Sequence, residues 1–582
     1  MTARTLTAQA LSALCFSLAI SGANAQTTPP APPPPPAAQP PVGEAPPDQK
    51  AYMDVMKVTD PEKKIEAFEK FRKDFPQSMF ASGVDSSILG TLIQKMPDQK
   101  ARIKKAAQAM YAASTAKDKA ASKQNIVVTM AARGATANRI ADQLLSGGML
   151  LKEAEGYAKK AVDSMQQSLW IAEQREAFAK RKQTMPDQEE LVKRFQSARA
   201  SRVATLGQVE RKLGRTALAQ KLLEESYAVN PTSVAVASAL GELAAKAGDD
   251  AKAMDYLISA LLTGNAPETA NQAFDATYQK THNGSVDGVE AMLDTEYHKR
   301  FPNPVHVEAY KPSNARTDRV VLAEVFTGSG CPPCAGADIA FDAAMERYGR
   351  KDLAVVMYHL HIPRPDPMTN LDTQARAKNY SVNAVPSFAI DGKKTVGGGS
   401  RDMAPGVFDR FKKDLEKDLE TAAEARIKVD AGLAGGTVKV SAIVDAVTSE
   451  SKDLKVQILL VEKEIRHLGE NGVRFHPMVV RAMGKAEGYP LEPKGSGTFD
   501  AAFDLEAVSK ALKAHLDDFE TKRGAGFKFS VKRDQVNRAD LAVVVFVQDD
   551  KTKHVLQAAY VDLGTAPGTH PATLAANGNN PK

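Results

Sequence analysis

From about residue 50 to residue 300, apolar positions recur at spacings of three and four, alanine is abundant and β-branched runs are rare. That period predicts a succession of amphipathic helices. The texture turns polar around Glu308 to Asp318, with Pro312, Ser313 and Asn314, and the pattern then changes. Arg319 to Phe326, Leu353 to Ile362 and Ser387 to Ile390 read as strands, with helical stretches between them, the Asp391-Gly392 turn and a short strand after them, and a last helix from about Ala404 to Ala425. The predicted order is β-α-β-α-β-β-α. From Arg426 onward, period two dominates: Ile427 to Val429, Val438 to Val444, Leu454 to Val461, Phe527 to Val531, Leu541 to Val547 and Val555 to Val561 read as strands. A single amphipathic helix, Glu506 to Glu520, interrupts them.

These patterns divide the chain of 582 residues, too long for one core, into a multidomain α+β protein. Its predicted parts are a signal peptide (1–25), a Pro-rich linker (26–49), a helical region (50–305), a central α/β domain (316–424), a β-sandwich domain of immunoglobulin-like pattern (425–563) and a disordered tail (564–582). Within the helical region, Lys212, Gly214, Ala217 and Ala219 recur as Lys246, Gly248, Ala251 and Ala253, an offset of 34 residues. This is the tetratricopeptide period: the glycines suit tight helix–helix turns, and the small alanines suit close approach of paired helices. Asn230-Pro231 and Ala266-Pro267 close the two units. A fainter copy spans Leu151 to Met165, and Glu66 to Ala81 reads as another helix-loop unit. The region is either a protein-binding surface or a helical spacer.

The amino terminus changes the picture of where the protein works. Arg4 precedes a mostly apolar run, Ala10 to Gly22, and Ala23-Asn24-Ala25 supplies a small-x-small cleavage pattern before Gln26. Together these predict export to the periplasm or cell envelope of a bacterium, with an uncleaved anchor or a chance apolar start as the alternative. No later apolar run has transmembrane length, so no integral membrane segment is expected. The proline run that follows, unbroken from Pro32 to Pro36, is either an extended spacer of about 3.1 Å per residue or an unstructured leader. A formal net charge of +6 with interspersed signs, and no basic stripe with aromatics, argues against a nucleic-acid partner.

Of the three cysteines, Cys15 lies in the signal peptide, leaving Cys331 and Cys334. Phe326-Thr327-Gly328-Ser329-Gly330-Cys331-Pro332-Pro333-Cys334 stands between a predicted strand and a predicted helix. At a helix start Cys331 faces free N–H groups and the positive end of the helix dipole, which favour thiolate. Two prolines there lose no needed hydrogen bond and stiffen the loop. On this reading Cys331 is the exposed, attacking sulfur and Cys334 the resolving one.

Segment 319–420 resembles the thioredoxin-like superfamily. It is similar to secreted members in which Glu-x-Phe-Thr precedes the cysteines and a Tyr-His pair ends the next strand, matched here by Glu324, Phe326, Thr327, Tyr358 and His359. In some relatives labelled as outer-membrane proteins a β-sandwich follows, and Asn471 to Gly484 and Val545 to Ala559 are similar to it. The resemblance implies that Pro386, 52 residues after Cys334, is a cis-proline that positions a substrate backbone against Val385. The chain departs from thioredoxin in two places: Gly330 replaces its tryptophan, and Val325 occupies the place of its buried acid, with Glu324 expected on the opposite sheet face.

Three readings of the cysteine pair stay open: thiol–disulfide exchange, a static disulfide, and a metal site joined by His359 and His361. The first is preferred, with no cofactor and no metal. It makes the protein an extracytoplasmic thiol–disulfide oxidoreductase whose partners are protein substrates or envelope proteins, docked through the helical repeats and the sandwich. The alternative is a non-enzymatic envelope binding or scaffold protein. His476 and Arg481 read as structural, and Asp366 and Asp372 as loop and cap residues.

Overall fold

The computed structural model describes residues 46–121, 127–312, 318–524 and 526–563, the backbone alone for 115–121 and 127–132. The predicted signal peptide, most of the Pro-rich linker and the tail from 564 lie outside the described residues. The chain divides into two compact units, one ending at Val84 and the other beginning at Asp85.

In the first unit, Asp60 caps the helix Pro61–Asp74 by accepting from Lys63 N at 2.9 Å, and Pro61 occupies the first helical turn. Phe68 and Phe71 are buried, and Tyr52, on the helix Pro47–Lys57, stacks on Phe80 with ring centres 4.7 Å apart.

The second unit begins as a helical region, and the repeat seen in the sequence is its clearest part. Helices Gln188–Lys212 and Thr216–Val229 form one hairpin, and Val234–Ala247 and Asp250–Leu262 the next. Gly214 and Gly248 sit in the two turns with φ of +79° and +78°, a conformation that excludes Cβ-bearing residues at low cost. Ala219 and Ala253 are fully buried, but Ala217 and Ala251 face solvent, so only one alanine of each pair serves close packing. Close packing has a second, unanticipated pair at the same offset. A Cβ on Gly207 would lie 2.9 Å from Leu223, and one on Gly241 would lie 2.5 Å from Leu257.

The rest of the unit is built on one large mixed sheet. Its elements are β1 (Val321–Thr327), α1 (Cys334–Arg347), β2 (Leu353–His359), α2 (Leu371–Asn379), β3 (Ser387–Ile390), β4 (Lys393–Val396), α3 (Ala404–Leu419), β5 (Arg426–Ala434), β6 (Thr437–Asp445), β7 (Leu454–Arg466), β8 (Phe475–Met483), β9 (Tyr489–Pro490), β10 (Gly497–Asp504), α4 (Leu505–Arg523), β11 (Leu541–Asp549) and β12 (Val555–Asp562). The predicted β-α-β-α-β-β-α order is present from β1 to α3. The sheet runs β12-β11-β7-β8-β2-β1-β3-β4, with β9 beside β7. β1 and β2 are parallel, and β3 and β4 continue antiparallel.

Strands assigned to a separate C-terminal sandwich instead extend this sheet. β8 joins β2 in parallel, with Met357 opposite Val479, and one apolar core runs from Val325 and Phe341 to Leu459, Val544 and Phe546. A second sheet, β10-β6-β5, does stack on β7 and β11, as a sandwich requires. Alternation explains the sharing: Val456, Ile458, Leu460, Val543 and Val545 face the small sheet, whereas Leu459, Val461, Ala542, Val544 and Phe546 face the other core. Strands covered on both faces read as unbroken apolar runs.

Two local expectations fail. Phe527 to Val531 is not a strand, because Phe527 and Phe529 pack on Phe519 of α4, ring centres 6.0 and 5.9 Å away. β10 is an additional strand whose small Ala501 and Ala502 hid its alternation. Among the described residues no helix is long and apolar enough to cross a membrane.

Candidate functional site

β1 delivers the chain to Gly328-Ser329-Gly330, and Cys331 N donates to Gly328 O at 3.0 Å to close a turn. Cys334 N donates to Cys331 O at 3.0 Å, and α1 begins at Cys334, with Pro332 and Pro333 in the turn just before it. Cys331 and Cys334 are joined as a disulfide, their Cα atoms 5.3 Å apart. The Val385–Pro386 peptide is cis. Val385 O lies 3.7 Å from Cys331 Sγ, the contact a reduced thiol would use as a hydrogen bond. A glycine run after β4 stitches these parts together. Gly399 N donates to Pro333 O at 2.7 Å, Gly336 N donates to Gly399 O at 2.8 Å, and a Cβ on Gly398 would overlap Pro333 O and the Pro386 ring.

Below the disulfide lies Asp338, which the sequence reading passed over. It is one turn beyond Cys334 on α1, so the two side chains share a helix face. Thr327, at the end of β1, donates to its Oδ1 at 2.7 Å, while Oδ2 is buried without a hydrogen-bond partner. Burial pushes its carboxyl up to about 6, with Thr327 and His359 acting in the opposite direction. The available signal was an acid in an otherwise apolar stretch, Ala335 to Phe341, one turn after the second cysteine.

Asp366 organises the other side of the loop. Its Oδ2 accepts from Ser329 N at 2.5 Å and lies 3.0 Å from His359 Nδ1, while Oδ1 accepts from Met368 N at 2.8 Å. Burial alone would raise this carboxyl, but the His359 imidazole and the two N–H donors outweigh burial and hold it well below the usual carboxylate range. His476 on β8 packs edge-on against His359, ring centres 5.1 Å apart. Burial holds His476 well below the usual imidazole range and lowers His361 and His467 to about 4.

Glu324 stands apart from this group. It is fully buried on the face of β1 opposite Thr327, paired with Arg376 Nε at 2.7 Å and bonded by Tyr358 and Tyr380 hydroxyls at 2.9 and 2.5 Å. Arg376 also donates to Gln548 of β11 at 2.7 Å, so the network ties β1 and α2 to β11. Glu324 is thus a structural anchor. His359 and His361 also diverge: His359 faces Asp366, whereas His361 accepts from Asp366 N at 3.0 Å and stacks on Phe519 at 3.7 Å. Among the described residues no group of three His, Cys, Asp or Glu side chains could hold a metal ion.

One expectation about the cysteines is overturned. Cys331 is only 1% exposed, as buried as Cys334. The β7–β8 connection packs on the loop that carries it: Asn471 N donates to Ser329 O at 3.0 Å, and Glu470 pairs with Arg364, whose side chain packs on Gly330. No protein-family model matches the chain, and no curated protein matches it.

Proposed function

We propose that the protein is an exported thiol–disulfide exchange protein built on a thioredoxin-like scaffold, with tetratricopeptide-like repeats before it and an immunoglobulin-like layer after it. The observation that carries this reading is the Cys331–Cys334 disulfide at a strand–loop–helix junction, with Cys331 Sγ 3.7 Å from the carbonyl of the cis Val385–Pro386 pair.

In the reductive direction, the Cys331 thiolate attacks one sulfur of a partner disulfide. The partner S–S bond breaks, a mixed disulfide forms, and the partner's leaving thiolate takes up a proton. Asp338, with a proton affinity near neutrality and an oxygen free of hydrogen bonds, accepts the Cys334 proton. The Cys334 thiolate then attacks Cys331 Sγ, releasing the partner's second thiolate, which takes a proton. Two electrons and two protons pass to the partner, and the chain ends as the disulfide described above. The reverse sequence oxidises a partner dithiol.

The test is Cys331→Ser in an insulin-reduction or disulfide-formation assay, where exchange is abolished and the fold is kept. Equal rates in variant and wild type reject the reading. A non-enzymatic scaffold protein is the second reading, favoured by the 1% exposure of Cys331.

A further inference from the structure

Residues 467–474, between β7 and β8, form a tight closed loop. His467 N donates to Arg474 O at 2.9 Å, Gly469 N to Val473 O at 2.8 Å, and Gly472 N to Gly469 O at 2.9 Å. This loop lies between the disulfide loop and the helical region and touches both. Toward the disulfide, Asn471 N donates to Ser329 O at 3.0 Å, and Gly469 is packed so closely that a Cβ would lie 2.7 Å from Ser329 O. Arg364, packed on Gly330 next to Cys331 in the chain, reaches Glu470.

The two sides differ in kind. On the helical side, Asn265 Nδ2 donates to Glu470 O at 3.2 Å and Tyr297 OH to Gly472 O at 3.2 Å. Arg474, 4% exposed, holds Asp294 at 2.7 Å and Glu290 at 2.5 Å, and Phe475 stacks on His298 with ring centres 4.9 Å apart. On the disulfide side, the ion pair is half-exposed, at 55% for Arg364 and 42% for Glu470, where solvent and salt weaken it. The contact with the disulfide loop is the seam most easily parted.

We infer that residues 467–474 are an autoinhibitory strap: the helical region holds it over Cys331, and it must lift from Ser329 and Arg364 before a partner protein can reach the sulfur. The inference rests on the exchange reading for its purpose, but not for its test. Lifting the strap frees the carbonyl of Ser329, which Asn471 N now occupies, as an acceptor for an incoming peptide N–H.

The experiment measures the rate at which dithiothreitol reduces the disulfide in the full chain, read by alkylation and mass. Glu470→Gln, which removes the latch, and Gly469→Ala, which pushes the strap off Ser329, each speed reduction by about three- to tenfold. Raising salt from low to about 1 M speeds the wild type similarly, since the Debye length falls to about 3 Å, and has little effect on Glu470→Gln. Wild-type rates in both variants, together with a salt-independent wild type, overturn the strap. Failure of the exchange reading looks different: the variants become reducible by dithiothreitol but still exchange with no protein disulfide.

Discussion

Asp338→Asn isolates the buried carboxyl next to Cys334. In the folded protein, burial raises this carboxyl from the ordinary 3.8 to about 6. A raised carboxyl binds its proton more tightly in the folded than in the unfolded chain. Its contribution to stability is therefore fully present below pH 3.8 and is lost as pH rises through about 6. At 1.36 kcal/mol per pKa unit, the loss is about 3 kcal/mol. Asparagine cannot ionise, so it escapes that loss. Its amide leaves a fixed cost at Oδ2, which does not vary with pH. The stability of Asp338→Asn relative to wild type should thus rise by about 2 kcal/mol between pH 4 and pH 8, part of the full change being already spent at pH 4. The difference is the quantity to read, because other groups titrate over the same range. His361 and His467, lowered to about 4, make both proteins less stable as pH falls from 6.5. Urea unfolding of the two proteins in parallel, in their oxidised forms, measures it. A difference that stays constant from pH 4 to pH 8 would refute the placement of Asp338 in a dry site with a proton affinity near neutrality.

Two further substitutions test how the scaffold is held. Arg376→Met leaves Glu324 buried without its ion-pair partner, and should cost about 3–5 kcal/mol in chemical denaturation; a cost under 1 kcal/mol would remove Glu324–Arg376 as an anchor. In the helical repeats, Gly248→Ala should cost about 1–2 kcal/mol through its left-handed backbone, and Gly241→Ala about 1–3 kcal/mol through overpacking against Leu257, both read as shifts in thermal unfolding.

The parts of the fold that sequence made legible are those with a strong local period or a spacing that only one geometry serves. Gly214 and Gly248 marked their turns because left-handed backbone favours glycine. The strand–loop–helix setting of Cys331 and Cys334 followed from an apolar run, a glycine loop and paired prolines. What sequence concealed depends on tertiary neighbours. The unbroken apolar run Leu541 to Val547 is what a strand covered on both faces looks like, but it does not say which elements supply the second cover, so the joining of β8 to β2 was invisible. The loop 467–474 that packs on Ser329, beside Cys331, stands well over a hundred positions away in the chain. Asp338 looks like an ordinary helix acid until Thr327 and the sheet close over it. The Gly207–Leu223 and Gly241–Leu257 contacts share the 34-residue offset and could have been read from it.

The central claim, that the Cys331–Cys334 disulfide exchanges with partners rather than bracing the loop, is tested most directly by its reduction potential. Equilibration in a glutathione or dithiothreitol series, read by thiol alkylation and mass, should place it between about −120 and −270 mV, the range of catalytic pairs. A potential below about −300 mV would mark a structural bridge and contradict the claim.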